Sequence, residues 1–307
     1  MVGAAGHGWR SDVESGAAAV RGKVREMLEA NGMGEDELAV VSAMSLGKKQ
    51  MVDRRLRDDY SKAGVAHILA LSGTHLAIIY FVLTVLFGGH GVVSRFAIVG
   101  CVWCYVVIVG MPVSAVRAAM MLTMFTLADV MRRGYDRMDV LVTTVAVMIL
   151  VEPRVVLDVG FQLSVMSVGA IIVICPLLNG LLPYDFLTRH RRLSKIWGMV
   201  SVGIAAQIGT APLVAYYFGT LPCWFVVSNL VAVPLTTVLL YGAVAVVALW
   251  HLPLLQLWMV KAVGGIAWLL NVVLGYIANL PLAAIEGVRL SELQVVISYI
   301  MIAVSLK

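Results

Sequence analysis

A few polar side chains lie inside otherwise apolar stretches of this chain, and these residues have the types and positions that could do chemistry. The stretch His67–Leu76 reads H-I-L-A-L-S-G-T-H-L and places Ser72, Gly73 and Thr74 near the middle of an apolar segment. Glycine costs about 1 kcal/mol relative to alanine inside a helix. The trio therefore indicates either a close contact between helices, which residue types alone favour slightly, or a break that lines a cavity.

Two histidines near this trio, His67 and His75, raise the question of a metal site. They are eight residues apart, which on a straight helix is about 12 Å along the axis and roughly 80° around it. A single ion cannot bridge that separation. Cys101 and Cys104 form C-V-W-C inside an apolar segment, where nothing supplies the positive surroundings that a redox pair needs. We expect neither a metal nor another cofactor.

A second polar group begins with Asp158. Gln162 follows four residues later, so the two side chains share one helix face. A carboxylate inside a membrane span needs a partner, and Arg117 is the natural one. The alternative is that each charge reaches the membrane surface separately. The residues alone do not separate these interpretations.

Three further polar residues, Gln207, Asn229 and Lys261, lie within apolar segments. For each one alone, a hydrogen bond to a neighbouring helix is the more common role. Together with Pro212 and Pro234, they predict interrupted helices around a polar path, as in transport proteins.

The elements that position these residues are long apolar segments. Of the 307 residues, 61% are hydrophobic and 13% are charged, whereas a soluble domain has about 25% charged residues. A membrane-spanning helix needs about 20 apolar residues. The pattern predicts an all-α, polytopic transmembrane helix bundle of about eight to ten spans, some of them interrupted. The segments are Val65–Phe87, Phe96–Val109, Val113–Met131, Val140–Val151, Val155–Cys175, Ile196–Tyr216, Cys223–Trp250, Leu254–Leu280 and Leu293–Leu306.

Cys223–Trp250 is unusually long and contains Asn229 and Pro234, so we expect it to consist of two half-helices. Residues 1–32 are predicted to precede the membrane domain, with disorder over 1–16 and a helix at Ala17–Asn31.

The segment Lys48–Lys62 is predicted to be a polar helix with a narrow apolar stripe. Val52, Leu56 and Tyr60 recur at every fourth position and form that stripe. This pattern suits a helix at the membrane surface as well as it suits an ordinary solvated helix.

The predicted topology rests on two basic loops, Arg132–Asp139 and Asn179–Lys195. The positive-inside rule places both in the cytoplasm, and the two spans between them agree with this. The first span then begins outside, which leaves the basic segment Lys48–Arg57 on the outer side, against the rule. Either the span count is wrong by one, or the basic segment meets a polyanion that arrives from outside.

Two of these segments carry a family resemblance. His67–Leu76 closely resembles the ComEC signature, which reads close to H-L-L-A-I-S-G-L-H-V, and Val156–Ser164 (V-L-D-V-G-F-Q-L-S) resembles a second signature of that family. Ser42–Gly47, Gln207–Gly219 and Ser228–Pro234 are also similar to it. These segments follow the order of the family, so the match covers about Met33 to Lys307. Thr74 replaces a residue that is usually apolar in the family.

The resemblance implies a multi-pass channel in the bacterial cytoplasmic membrane that passes single-stranded DNA during natural competence. The implied partners are the DNA strand, the lipid bilayer and other competence proteins, including a cytoplasmic helicase-like motor, and a homo-oligomer is one expected state. The motif positions that it carries over are His67, Ser72, Gly73, His75, Asp158, Gln162 and Asn229.

Full-length relatives implied by this resemblance carry an OB-like domain before the channel and a metallo-β-lactamase-like domain after it. Neither is visible in this sequence, and neither is a G-x-x-x-x-G-K-[ST] phosphate loop. We therefore expect no enzymatic activity. Two alternatives remain open: a secondary transporter of a small solute, and a non-transporting membrane remnant of a ComEC-like protein.

Overall fold

The chain is helical almost throughout in a computed structural model that describes residues 5–88, 91–131, 136–183, 188–249 and 251–306. Twelve α-helices occur in these ranges. The first six are α1 Ala5–Ala30, α2 Glu35–Leu46, α3 Arg54–Lys62, α4 Gly73–Phe87, α5 Val92–Val109 and α6 Val113–Val130. The others are α7 Arg137–Val151, α8 Val159–Gly180, α9 Arg191–Phe218, α10 Phe225–Ala248, α11 Pro253–Ala278 and α12 Glu292–Ser305.

Short elements join some of these helices. Three 3₁₀ turns lie at Lys49–Met51, Ala66–Leu69 and Pro153–Leu157. Two strands, β1 at Thr220–Pro222 and β2 at Ala284–Glu286, form an antiparallel pair. This pair is not predictable from the sequence, because three-residue strands are too short to show an alternating pattern.

Six helices of the described chain, α5, α6 and α8–α11, are long and apolar enough to cross a membrane. Helices α4 and α12 are apolar but have only 15 and 14 residues, and α7 has 15. Fifteen residues extend about 22 Å, which is less than the roughly 30 Å of a bilayer core. Each of the nine predicted spans overlaps one of the helices α4–α12, so the predicted all-α multi-pass bundle is confirmed.

The first span is interrupted, which is one of the two interpretations of the Ser72–Thr74 trio, whereas the interruptions predicted at Pro212 and Pro234 are wrong. The expected span Val65–Phe87 begins with a 3₁₀ turn, and α4 starts only at Gly73. By contrast, α9 and α10 continue through Pro212 and Pro234. Proline removes one backbone donor, but neighbouring groups in a helix bundle can satisfy the carbonyl that this leaves. Cys223–Trp250 therefore does not form two half-helices.

The segments before the membrane domain also differ in part from the prediction. Helix α1 begins at Ala5 and so includes most of the stretch 1–16, for which disorder was expected; residues 1–4 lie outside the described ones. The glycines there are separated by better helix formers and no proline interrupts them, which allows the helix to extend. The predicted helix Ala17–Asn31 is the second half of α1.

Lys48–Lys62 is not one helix but a 3₁₀ turn followed by α3. Its apolar stripe exists as predicted, but Val52, Leu56 and Tyr60 are buried inside the protein. The stripe therefore does not offer an open apolar face to a bilayer, and a location of this segment at the membrane surface stays a prediction.

The chain divides into two compact units. The first comprises Met1–Asp58, Ala66–Arg133 and Pro234–Val273. Its core joins the α4 region to α5 and α6 through small and branched apolar side chains: Leu71, Leu76, Val102, Val106, Val109, Ala115, Ala118 and Ala119.

The second unit comprises Asp59–Val65, Gly134–Val233 and Leu274–Lys307. Its helices α8 and α9 approach closely at Gly209, where an added Cβ would lie 2.4 Å from the Cβ of Ala170 and 2.7 Å from the carbonyl oxygen of Met166. Helix α12 joins them through Tyr299, whose hydroxyl donates to the Gly209 carbonyl oxygen at 2.9 Å. This glycine is therefore the contact point of three helices.

Candidate functional site

The break before α4 is the most specific feature of the first unit. The 3₁₀ turn ends at Leu69, residues 70–72 have no regular hydrogen-bonded structure, and Ser72 is extended, with φ −110° and ψ 169°. Ser72 is the N-cap of α4. The first predicted signature therefore encodes an interrupted span that restarts at Gly73.

The backbone groups of the break are satisfied by nearby side chains. The hydroxyl of Ser114 on α6 donates to the Leu71 carbonyl oxygen at 2.6 Å. The backbone N–H of Ser72 donates to His75 Nδ1 at 2.9 Å, and the Ser72 hydroxyl lies 3.0 Å from the same nitrogen. Irregular backbone at membrane depth is tolerated only where such partners or a water-filled cavity exist.

His75 acts as a cap for α4. Its Nδ1 accepts the Ser72 N–H, so the neutral ring carries its proton on Nε2. The side chain is buried, and its Nε2 has no hydrogen-bond partner among the described residues. His67, one turn before the break, keeps an exposed side chain. The structure thus gives the second histidine of the motif a structural role at the start of α4.

The surroundings of Gly73 separate the two interpretations of the small polar trio. A Cβ added there would lie 3.6 Å from the Cβ of Ala118, which is an ordinary contact distance. Close packing of helices therefore does not require this glycine. Gly73 and Thr74 are both exposed at the start of α4, where the first-turn N–H groups lack partners within the helix and carry partial positive charge.

The second signature forms the start of α8 in the second unit. Asp158 is the N-cap, and its Oδ1 accepts from the Phe161 N–H at 2.7 Å. Gln162 donates through Nε2 to the Val156 carbonyl oxygen at 2.9 Å. Its Oε1 accepts from the hydroxyl of Tyr217 at 2.8 Å. Both polar side chains of the motif therefore fix the turn from Pro153–Leu157 into α8.

Tyr217 is a residue of this site that the sequence did not indicate. It lies 55 positions from Gln162 along the chain, and no local pattern could have joined the two. Its ring packs edge-on against Tyr216, with centroids 4.8 Å apart. The hydroxyl of Tyr216 in turn donates to Glu292 at 3.3 Å, so the end of α9 is tied to both α8 and α12.

Arg117 and Asp158 occupy different units. Arg117 is buried on α6 in the first unit, and Asp158 caps α8 in the second. Capping α8 is one role of Asp158. The predicted ion pair between these two residues stays a prediction.

The other polar positions are distributed over three long helices. Gln207 on α9 and Asn229 on α10 are half-buried in the second unit. Lys261 is exposed on α11, with Nζ 5.8 Å from the centre of the Trp258 ring. Asn229 faces a small cleft between α9 and α10, whose other lining residues are Met199, Val200, Gly203, Val226 and Leu230.

The two basic loops lie partly outside the described residues, which omit 132–135 and 184–187. In the described part, Asp136 caps α7 by accepting from the Met138 N–H at 3.1 Å. The cytoplasmic location of both loops stays a prediction.

The chain is similar to several curated bacterial proteins. It is 25% identical to ComE operon protein 3 of Bacillus subtilis over 218 residues, which cover 70% of this chain and 27% of that protein. It is 24% identical to Recombination protein 2 of Haemophilus influenzae over 213 residues, covering 64% and 26% of the two chains. An uncharacterised Escherichia coli protein, YcaI, is 21% identical over 209 residues, covering 65% and 27%.

The chain thus matches about a quarter of the length of these relatives. No solved structure matches it. The sequence profile of the competence protein family matches residues 44–307. This range includes both signatures, the interrupted span and all nine membrane segments, and so the chain belongs to the competence protein family, as its resemblance to ComEC proteins predicted.

Proposed function

We propose that this multi-pass membrane protein is a channel module that passes single-stranded DNA across the bacterial cytoplasmic membrane during natural competence. The observation that carries the proposal is the interrupted first span of a competence-family chain, with Gly73 and Thr74 exposed at the restart of α4. The channel has no catalytic step of its own in this proposal.

The chemistry of the break fits a polyanion. A DNA strand carries one negative charge per nucleotide, so its path needs donors or cations in place of aliphatic side chains. The start of a helix offers N–H groups and the positive end of the helix dipole without a full buried charge. Such weak attraction also suits conduction, because a strand that binds strongly at each step would stall.

The strand needs a source of force and a route of arrival. The sequence has no phosphate loop, so we propose that a cytoplasmic helicase-like motor pulls the strand, with other competence proteins delivering it from outside. The exposed arginines Arg54 and Arg55 on α3 are on the outer side in the predicted topology. There they would attract the incoming phosphates at long range. A homo-oligomer is part of the same proposal.

The test replaces Gly73 in a naturally transformable host. Gly73→Leu inserts a bulky side chain at the exposed start of α4, and we expect transport of labelled DNA into the cytoplasm to fall sharply while DNA binding at the cell surface persists. The protein should still insert, because leucine is favourable in a membrane span.

Gly73→Ala is the matched control. Its Cβ fits at an ordinary distance from Ala118, so uptake should stay near the wild-type level. Normal transformation by a stably inserted Gly73→Leu protein would contradict the proposed path. Loss of transport of a small solute in the same variant, with normal DNA uptake, would favour a secondary transporter.

A further inference from the structure

One face of α11 carries a lysine between two tryptophans and is not covered by the rest of the described chain. Trp258 and Trp268 are 71% and 56% exposed, and Lys261 lies between them. Leu254 and Val272 continue the same face and are also exposed. These positions follow each other at intervals of four, three, seven and four residues, which places them on one side of a helix.

Lys261 lies inside the expected apolar layer. Helix α11 has 26 residues and starts at Pro253, so it is about 39 Å long, and the Cα of Lys261 is about 12 Å from its start. A bilayer core of roughly 30 Å centred on this helix would begin a few ångströms inside the helix end. A charged ammonium group at that depth is costly unless it reaches the polar surface or an opposite charge.

The direction of the side chain shows which surface it approaches. The Nζ atom is 5.8 Å from the centre of the Trp258 ring, one turn closer to the start of α11. Long helical side chains lean in this direction, and the lysine stem can carry its charge towards the headgroups at that end. Among the described residues, no carboxylate forms an ion pair with Lys261.

We propose that Lys261 and Trp258 bind the phosphate of an anionic phospholipid in the leaflet at the amino-terminal end of α11. The ammonium group supplies the positive charge that a phosphate needs, and the tryptophan ring occupies the boundary between headgroups and acyl chains, as interfacial tryptophans do. In the predicted topology this is the cytoplasmic leaflet, where anionic lipids attract basic residues.

The residues around the pair favour a lipid over a DNA strand. Leu254 and Val272 on the same face are exposed and apolar, which suits acyl chains. A path for a DNA strand would need a cation or a donor for each successive phosphate along the face, and Lys261 is the only charged residue between Leu254 and Val272. The lipid site does not depend on what the chain transports.

The test uses the full chain in phosphatidylcholine vesicles with and without phosphatidylglycerol. Phosphatidylglycerol that binds only the folded protein raises its midpoint of thermal unfolding. We expect most of this rise to be lost in Lys261→Gln and reduced in Trp258→Leu, while Lys261→Arg retains it. Native mass spectrometry should show phosphatidylglycerol retained by the wild type and by Lys261→Arg, and lost from Lys261→Gln.

Lys195→Gln is the control, because Lys195 is an exposed cation at the start of another spanning helix, α9. It should leave the effect of phosphatidylglycerol unchanged. An undiminished effect in Lys261→Gln, or an equal loss in Lys195→Gln, would overturn the site. So would a Lys261→Gln protein that binds a single-stranded oligonucleotide more weakly but responds normally to phosphatidylglycerol, since that result would assign the pair to DNA.

Discussion

Gly209 on α9 faces Ala170 on α8 so closely that a Cβ at residue 209 would lie 2.4 Å from the Cβ of Ala170. The same atom would lie 2.7 Å from the backbone carbonyl oxygen of Met166, which cannot move without shifting α8. The close approach of two spanning helices therefore depends on the absence of a side chain at this position.

The first prediction follows from this contact. Gly209→Ala should destabilise the protein by up to about 2 kcal/mol, because overpacking that strains both helices costs about 1–3 kcal/mol. The gain in helix propensity, about 1 kcal/mol, offsets only part of this cost. The measurement is the midpoint of thermal unfolding in detergent, together with the monodisperse fraction after extraction.

Gly198→Ala on the same helix is the matched control. Nothing lies within 4 Å of an added Cβ there, so this variant should keep or slightly raise the midpoint through helix propensity alone. Equal midpoints for the two variants would show that α8 and α9 do not need the glycine.

The second prediction separates the two interactions available to Asp158. If Asp158 also pairs with Arg117, Asp158→Asn should lower the protein level, because the buried guanidinium of Arg117 would lose that counter-charge. The double variant Arg117→Gln, Asp158→Asn should then recover part of the loss. Asparagine caps a helix about as well as aspartate, so the asparagine variant removes the charge and keeps the cap.

Asp158→Ala provides the comparison, since it removes the cap and the charge together. The lost hydrogen bond to the Phe161 N–H should cost about 1 kcal/mol. A normal protein level for Asp158→Asn combined with a reduced level for Asp158→Ala would assign Asp158 to capping alone and reject the pair.

The third prediction concerns the sides of the membrane. After the four free cysteines Cys101, Cys104, Cys175 and Cys223 are replaced, single cysteines are introduced at exposed positions. Arg137→Cys and Arg189→Cys should resist an impermeant thiol reagent in intact cells, because both belong to basic loops predicted to be cytoplasmic.

Two positions on the opposite side serve as controls. Arg289→Cys is separated from the loop of Arg189 by the three helices α9–α11, and Arg55→Cys precedes the first span, so both should react in intact cells. Protection of Arg55→Cys would mean that the span count is wrong by one and would remove the outer location of the basic segment.

The sequence was sufficient to predict features that depend on local pattern. Apolar runs located every membrane helix. The small polar trio at Ser72–Thr74 lies at the interruption of the first span, but residue types alone slightly favoured a helix contact there. The interruptions predicted at Pro212 and Pro234 are wrong. Whether a helix continues through a proline depends on groups of the neighbouring helices, which a local sequence pattern does not describe. The link between Gln162 and Tyr217 and the pairing of Thr220 with Glu286 are long-range contacts, which one sequence without homologues does not reveal.

The last prediction concerns the hydrogen bond that holds the interrupted span. Leu71 is fully buried, and its carbonyl oxygen accepts from the Ser114 hydroxyl at 2.6 Å. Ser114→Ala removes this donor and leaves a buried carbonyl short of a partner, which should cost about 1–3 kcal/mol. We expect a lower midpoint of thermal unfolding in detergent and reduced DNA uptake, because the segment just before α4 would lose its hydrogen bond to α6.

Ser298→Ala is the control for the loss of a serine hydroxyl in a helix. The Ser298 hydroxyl donates to the carbonyl oxygen of Gln294 in its own helix, at 2.7 Å. That oxygen can also accept a backbone hydrogen bond within the helix. Its replacement should therefore change the midpoint by much less than Ser114→Ala does. If both variants unfold at the wild-type temperature, the Ser114 hydroxyl does not stabilise the break, and other contacts of residues 70–72 must hold it in place.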